Sequence, residues 1–307
     1  MKRILTLALA SALALPALAH AEKGSPLWLR HQQISPDGSQ IAFCYKGDIY
    51  TVPTAGGQAL RLTSNAAYDG TPIWSPDSRS LAFSSDREGS KDVYIVKADG
   101  SGLRRLTYSS EKEVPVAFLD GSTLLFQSYV MPDVKDGMYP WDWFVQTYSL
   151  DLSKTIARPK LYGAYPMLMP SLRGGEILYT DVKGYEDIWR KHAISPVTRD
   201  IWLRSKDGKH TKLTTFGGED RNAVWDSKGG FYYLSEREGS FNVYHRDAAT
   251  AAAADKKITS FTKNPVRFLS IASNGTLCYG FDGEIYTQTP GGQPTKVNVS
   301  IVRDQEE

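Results

Sequence analysis

Two short stretches have the residue types of an active site. Ser85-Asp86-Arg87-Glu88-Gly89-Ser90 returns as Ser235-Glu236-Arg237-Glu238-Gly239-Ser240. Serines, acids and an arginine set this close could combine a nucleophile with charged partners. Two further stretches are rich in binding groups. One carries Tyr139, Trp141, Asp142 and Trp143, and large aromatics beside an acid favour a peptide, glycan or protein partner. The other carries Glu186, Trp189, Arg190 and His192, charges suited to peptide termini or an adjacent domain. Past the first 21 residues the histidines are His31, His192, His210 and His245. The sequence has no Gly-x-Ser-x-Gly elbow, His-Glu-x-x-His, phosphate loop or Cys-x-x-Cys. A Ser-His-Asp site needs three groups at one point, so the elements that carry these residues decide the matter.

Those elements repeat. An acid or amide, a β-branched residue and an aromatic recur as Asp48-Ile49-Tyr50, Asp92-Val93-Tyr94, Asp200-Ile201-Trp202, Asn242-Val243-Tyr244 and Glu284-Ile285-Tyr286. Gln146-Thr147-Tyr148 is a degenerate copy. An apolar run and a turn such as Ser35-Pro36-Asp37-Gly38 precede each copy. A second turn and an outer strand, often ending in Leu-Thr, follow it. Each unit therefore reads as four short antiparallel strands. Such a unit cannot bury both faces alone, and six stacked in a ring can. The expectation is an all-β fold, a six-bladed β-propeller of four-stranded antiparallel blades over residues 22–302. Closure is expected without strand exchange, by side-chain packing between units 1 and 6.

Antiparallel order then sorts the loops. Turns between first and second strands, and between third and outer strands, share one face. Connections between second and third strands share the other with the blade-to-blade links. The two long insertions, 129–146 and 182–199, are second-to-third connections of units 3 and 4 and fall side by side on that second face. The histidines fall on different units and on both faces. No catalytic residue, metal site or cofactor is expected within the chain. Asp86, Arg87, Glu88 and Glu236, Arg237, Glu238 occupy matching turns of units 2 and 5, three apart in a ring of six. They are expected as paired rim turns, scaffold or gate, facing each other across the mouth.

The N-terminus reads as a leader. Lys2 and Arg3 precede an apolar run from Ile4 to Leu15, and Ala19-His20-Ala21 is a small-x-small cleavage site. Residues 1–21 are thus expected to be a signal peptide, cleaved near Ala21 without leaving a membrane anchor. The mature protein is expected to be bacterial and periplasmic or secreted. Of 36 Lys and Arg, loss of these two leaves 34, equal to the Asp and Glu. That balance argues against nucleic acid as a partner. Cys44 and Cys278 each sit in an apolar run and are expected as buried free thiols rather than a bridge.

Longer stretches carry a resemblance. The 27–57, 184–203 and 233–244 segments resemble the first propeller of tricorn-type serine peptidases, over essentially the whole mature chain. The shorter repeat pattern also resembles Tol-associated periplasmic propellers. The tricorn resemblance implies a six-bladed propeller followed by a seven-bladed one, a PDZ-like domain and a serine-peptidase core, with the catalytic Ser, His and Glu in that core. It implies a module that selects or channels peptides, with the downstream peptidase and PDZ domains or other subunits as partners. Residues 303–307 read as a charged tail or the start of a linker. The alternatives are a stand-alone binding or scaffold propeller of the Tol-associated kind and a stand-alone hydrolase acting over the mouth.

Overall fold

A computed structural model of the chain describes residues 26–129, 145–163, 165–184 and 197–302. Six four-stranded sheets follow one another along the sequence. Their first strands are Arg30–Ile34, Asp69–Trp74, Val114–Phe118, Leu168–Arg173, Asp220–Trp225 and Arg267–Ile271. Each sheet packs on the next, and the sixth packs on the first, so the sheets close into the six-bladed ring that the repeat predicts. Every strand in a blade pairs antiparallel with its neighbour.

A blade has a neighbour on each face, so its middle strands are apolar on both sides. The second strands Gln40–Tyr45 and Thr123–Ser128 are buried after their first residue. The repeated aromatic of the third strand stands opposite an aromatic of the second in all six blades: Phe43 and Tyr50, Phe83 and Tyr94, Phe126 and Tyr148, Tyr179 and Trp202, Tyr233 and Tyr244, Tyr279 and Tyr286. Such cross-strand pairs stabilise the sheet and fix its register.

The acid and the Leu-Thr pair explain each other. In blade 2 the Val93 amide donates to Thr107 Oγ1 at 2.8 Å, and Arg105 pairs with Asp92 at 2.8 Å. Blade 1 repeats this with Ile49, Thr63, Arg61 and Asp48. In blade 5 the amide Asn242 replaces the acid and accepts from Thr259 Oγ1 at 2.9 Å. The short outer strand is thus held by a threonine bracket as well as by its two or three ladder residues. The Ser-Pro-Asp turns close the inner hairpins: Asp77 Oδ1 accepts from Ser75 Oγ at 2.6 Å and from the Arg79 amide at 3.1 Å.

Closure departs from expectation. All four strands of each blade are contiguous in sequence, as expected, but side-chain packing does not close the ring alone. Thr295–Lys296 is the outer strand of blade 6, and Val299–Ser300 then crosses to pair in parallel with Gly57–Gln58 of blade 1. The Gly57 amide donates to Asn298 O and the Ala59 amide to Ser300 O, each at 2.8 Å. Gly56 makes the approach possible: its φ is +87°, and a Cβ there would lie 2.7 Å from Asn298 O. At the other end the Leu29 amide donates to Gly283 O of blade 6 at 3.0 Å. Cys44 and Cys278 are both free and buried, and burial pushes each thiol up to about 12.

The first strands hold a feature that the repeat did not predict. All six shift register against the second strand, and in five the shift carries a positive-φ residue, His31, Thr71, Met169, Asn222 or Phe268, at φ between 50° and 57°. Bulges of this kind bend a strand where it must turn against its neighbours. At Asn222 the side chain repays the strain: its amide donates to Leu269 O and accepts from the Leu269 amide, both at 2.9 Å, joining blade 5 to blade 6.

Candidate functional site

The rim turns of blades 2 and 5 build one device twice. Arg87 Nη2 donates to both oxygens of Asp69 at 3.0 Å, and its Nε donates to Ser85 Oγ at 2.9 Å. The guanidinium stands 4.6 Å from the Tyr94 ring centroid. Arg237 repeats this with Asp220 at 3.3 and 3.2 Å, Ser235 at 2.9 Å and Tyr244 at 4.9 Å. Both carboxylates are fully buried. Each arginine thus ties the start of the first strand to the end of the second and covers the repeat tyrosine. Ser85 and Ser235 serve the guanidinium as acceptors, whereas a nucleophile needs a base in reach.

The other rim residues cap the turns. Asp86 Oδ1 accepts from the Tyr68 amide at 2.7 Å, and Glu236 Oε1 from the Glu219 amide at 2.8 Å. Glu88 and Glu238 are exposed, and Glu238 accepts from Tyr244 Oη at 3.1 Å and pairs with Lys257. In blade 5, Asp255 extends the cluster. Burial opposes its charge, but hydrogen bonds from Arg246, Tyr233 and Arg237 hold it down at about 2.

Blade 3 holds the clasp acid without the arginine. Val114 pairs with Gln127, which sets Glu113 across from Ser128, where Asp69 and Asp220 face Ser85 and Ser235. The sequence has Val130 at the arginine's position. Glu113 is fully buried, and among the described residues neither of its oxygens has a hydrogen bond of ordinary geometry. Burial first, with the adjoining Asp92 charge adding to it against Thr107, pushes the carboxyl up to about 7.

Tyr139, Trp141, Asp142, Trp143, Glu186, Trp189, Arg190 and His192 lie outside the described residues. The other three histidines are separate. The His31 ring packs tilted against Phe268 at 4.7 Å, and burial with Arg30 and Lys91 holds it at about 4. His210 Nδ1 hydrogen-bonds Tyr179 Oη at 2.8 Å in blade 4, and His245 Nε2 meets Asp226 at 2.7 Å in blade 5. Among the described residues no three His, Cys, Asp or Glu side chains gather as a metal site.

Two concavities stand out among the described residues. The larger, about 600 Å³, lies at the closure seam of blades 6 and 1, on the face of the second-to-third connections. Trp28, Phe268 and Phe281 give it aromatic walls, and Arg30, Arg267, Asp282 and Glu284 line it with charges of both signs. Trp28 is 72% exposed. That volume and mixture suit a ligand of several residues' reach rather than a single ion. No motif in the sequence marks this pocket, because it forms where the two ends of the ring meet. The smaller, about 280 Å³, lies between blades 3 and 4 and is lined by Tyr165, Tyr179, Trp202, His210, Asp181 and Val182.

Comparison with known proteins agrees with this architecture. The family model of the tricorn protease N-terminal β-propeller domain matches residues 26–293. A tricorn protease homolog of Streptomyces coelicolor is 23% identical over 287 residues, 91% of this chain and 25% of that protein. The crystal structure of the tricorn protease superposes with a TM-score of 0.73 at 19% identity, covering 92% of this chain and 27% of that one. TolB from Acinetobacter baumannii superposes with a TM-score of 0.57 at 15% identity, over 89% of this chain and 65% of that one. The chain thus spans about a quarter of the length of the tricorn proteins that it matches.

Proposed function

The chain belongs to the tricorn protease N-terminal β-propeller family, and from that premise we propose that it is a non-catalytic module that selects or channels peptides for a peptidase domain outside this sequence. The observation that carries the reading is the seam pocket. It has the volume for part of a peptide, aromatic walls for apolar side chains and charged residues of both signs along its lining. It opens on the face of the second-to-third connections, where the sequence order leads us to expect both long insertions. The leader-like residues 1–21 add that the module works after export, in the periplasm or outside the cell.

Trp28 is the residue to test, since its exposure lets it be removed without opening the core. Fluorescence polarisation with labelled peptides of mixed sequence is expected to show binding, weakened at least about fivefold by Trp28→Ala, the cost of one substantial interface contact. Absence of peptide binding, or binding indifferent to Trp28→Ala, would overturn the proposal. The TolB likeness supports a second reading, a free-standing scaffold propeller. Crosslinking in intact periplasm separates the two: that reading expects a protein partner held by the propeller and no peptide at the seam.

A further inference from the structure

The cleft between blades 3 and 4 has a more specific chemistry than the seam pocket. Tyr179 and Trp202 stand opposite each other on the second and third strands of blade 4. Tyr165, on the link from blade 3, closes the third side, its ring centroid 6.2 Å from Tyr179 and 4.7 Å from His210. These are neutral groups: burial raises the Tyr179 hydroxyl, and burial together with Arg204 lowers His210. Asp181 sits among them. Its Oδ1 accepts from the Asp200 amide at 2.7 Å and its Oδ2 from Trp202 Nε1 at 3.0 Å. A carboxylate has about four acceptor positions, so capacity remains.

Among the described residues the nearby cations have nearer partners than Asp181. Lys183 stands 3.9 Å from Asp181, but its ammonium donates to Thr198 O at 2.7 Å and to Asp200. Lys212 pairs with Asp200 at 2.8 Å. Arg204 lies over the Tyr162 ring at 5.3 Å and donates to Tyr162 Oη at 3.5 Å, while its charge still reaches Tyr165 and His210 at the edge of the cleft. Among the described residues the cleft therefore presents electron-rich ring faces and one carboxylate in a space of about 280 Å³, below the size of a whole ligand site and suited to one side chain.

We propose that this cleft receives the cationic side chain of a lysine or arginine in a peptide, the apolar stem along the rings and the charged head toward Asp181. The idea rests on the peptide-handling reading and gives it a preferred substrate class. A stem-and-head side chain fits such a site because it buries methylenes while its charge stays at the polar end.

The test follows the Trp202 indole N–H by NMR in the full chain, assigned with Trp202→Phe. It is titrated with the blocked single residues N-acetyl-lysine methylamide, N-acetyl-arginine methylamide and, as neutral control, N-acetyl-norleucine methylamide. The cationic probes are expected to shift the signal with midpoints of about millimolar order, as for one cation–π contact with an ion pair. Norleucine should be at least about fivefold weaker, and lysine against arginine tells which head is preferred. Asp181→Asn keeps an acceptor for Trp202 and is expected to remove the charge preference. Should that variant misfold, 0.5 M salt in the unaltered chain is expected to weaken the cationic probes and spare norleucine. Equal response to norleucine, no shift with any probe, or a charge preference that survives both tests would overturn the inference. Peptides retained regardless of charge would sink the cleft and spare the module; a titrating lysine probe with no peptide retention would do the reverse.

Discussion

Glu113 gives the sharpest quantitative prediction. It occupies the clasp-acid position of blade 3, buried beside Asp92, with no arginine supplied by the sequence. Its carboxyl is pushed from 4.5 to about 7. Between those values the folded protein holds a proton that the unfolded chain releases, so stability must fall as pH rises through this window. At 1.36 kcal/mol per unit the loss from pH 4.5 to 8 is about 3 kcal/mol. For a domain of this size, with unfolding entropy of about 2 cal/mol/K per residue, that is a drop in Tm of about 5 °C. Glu113→Gln keeps the shape and removes the titration. Thermal unfolding followed by near-UV circular dichroism from pH 5 to 8 should show the natural chain losing several degrees more than the variant. Parallel pH profiles would refute the reasoning, and so would a natural chain that gains stability over that range.

Three other changes probe the scaffold. Arg87→Ala leaves the buried Asp69 carboxylate unpaired and is expected to cost about 3–5 kcal/mol by chemical denaturation; Arg87→Ala with Asp69→Asn should recover part of this. Gly56→Ala drives a Cβ against Asn298 O from a positive-φ position, so amide exchange at Gly57 and Ala59 should accelerate while the amides of blade 3 hold. Cys44 and Cys278 should resist a thiol reagent in native buffer and both react in guanidinium, since burial holds each near 12.

The sequence and the structure agree where a feature repeats with the same residue types. Asp92, Val93, Tyr94 and Thr107 could be read from sequence because blade after blade sets the same acid, backbone amide and hydroxyl in one bracket. Features made once were not legible. The parallel pairing of Val299–Ser300 with Gly57–Gln58 joins the chain's two ends, and two residues have no periodicity to announce them. The seam pocket arises from the same meeting. The first-strand bulges do repeat, yet five different residues occupy the positive-φ position, so tertiary geometry rather than residue type selects it. The clasp shows a third case. Serine, acid and arginine were visible as a repeated turn, but their partners Asp69 and Asp220 lie 18 and 17 residues away and only the fold brings them together. Equally, Glu113 is an unremarkable linker glutamate until the register sets it opposite Ser128.

The central claim is that this propeller handles peptides without cutting them. The direct measurement is to incubate the purified chain with a mixed peptide library, separate bound from free peptide by gel filtration, and weigh both pools by mass spectrometry. The account predicts intact peptides enriched with the protein, basic ones foremost, and no new fragments in either pool. Fragments that accumulate with time, or a protein fraction that carries no peptide, would contradict it.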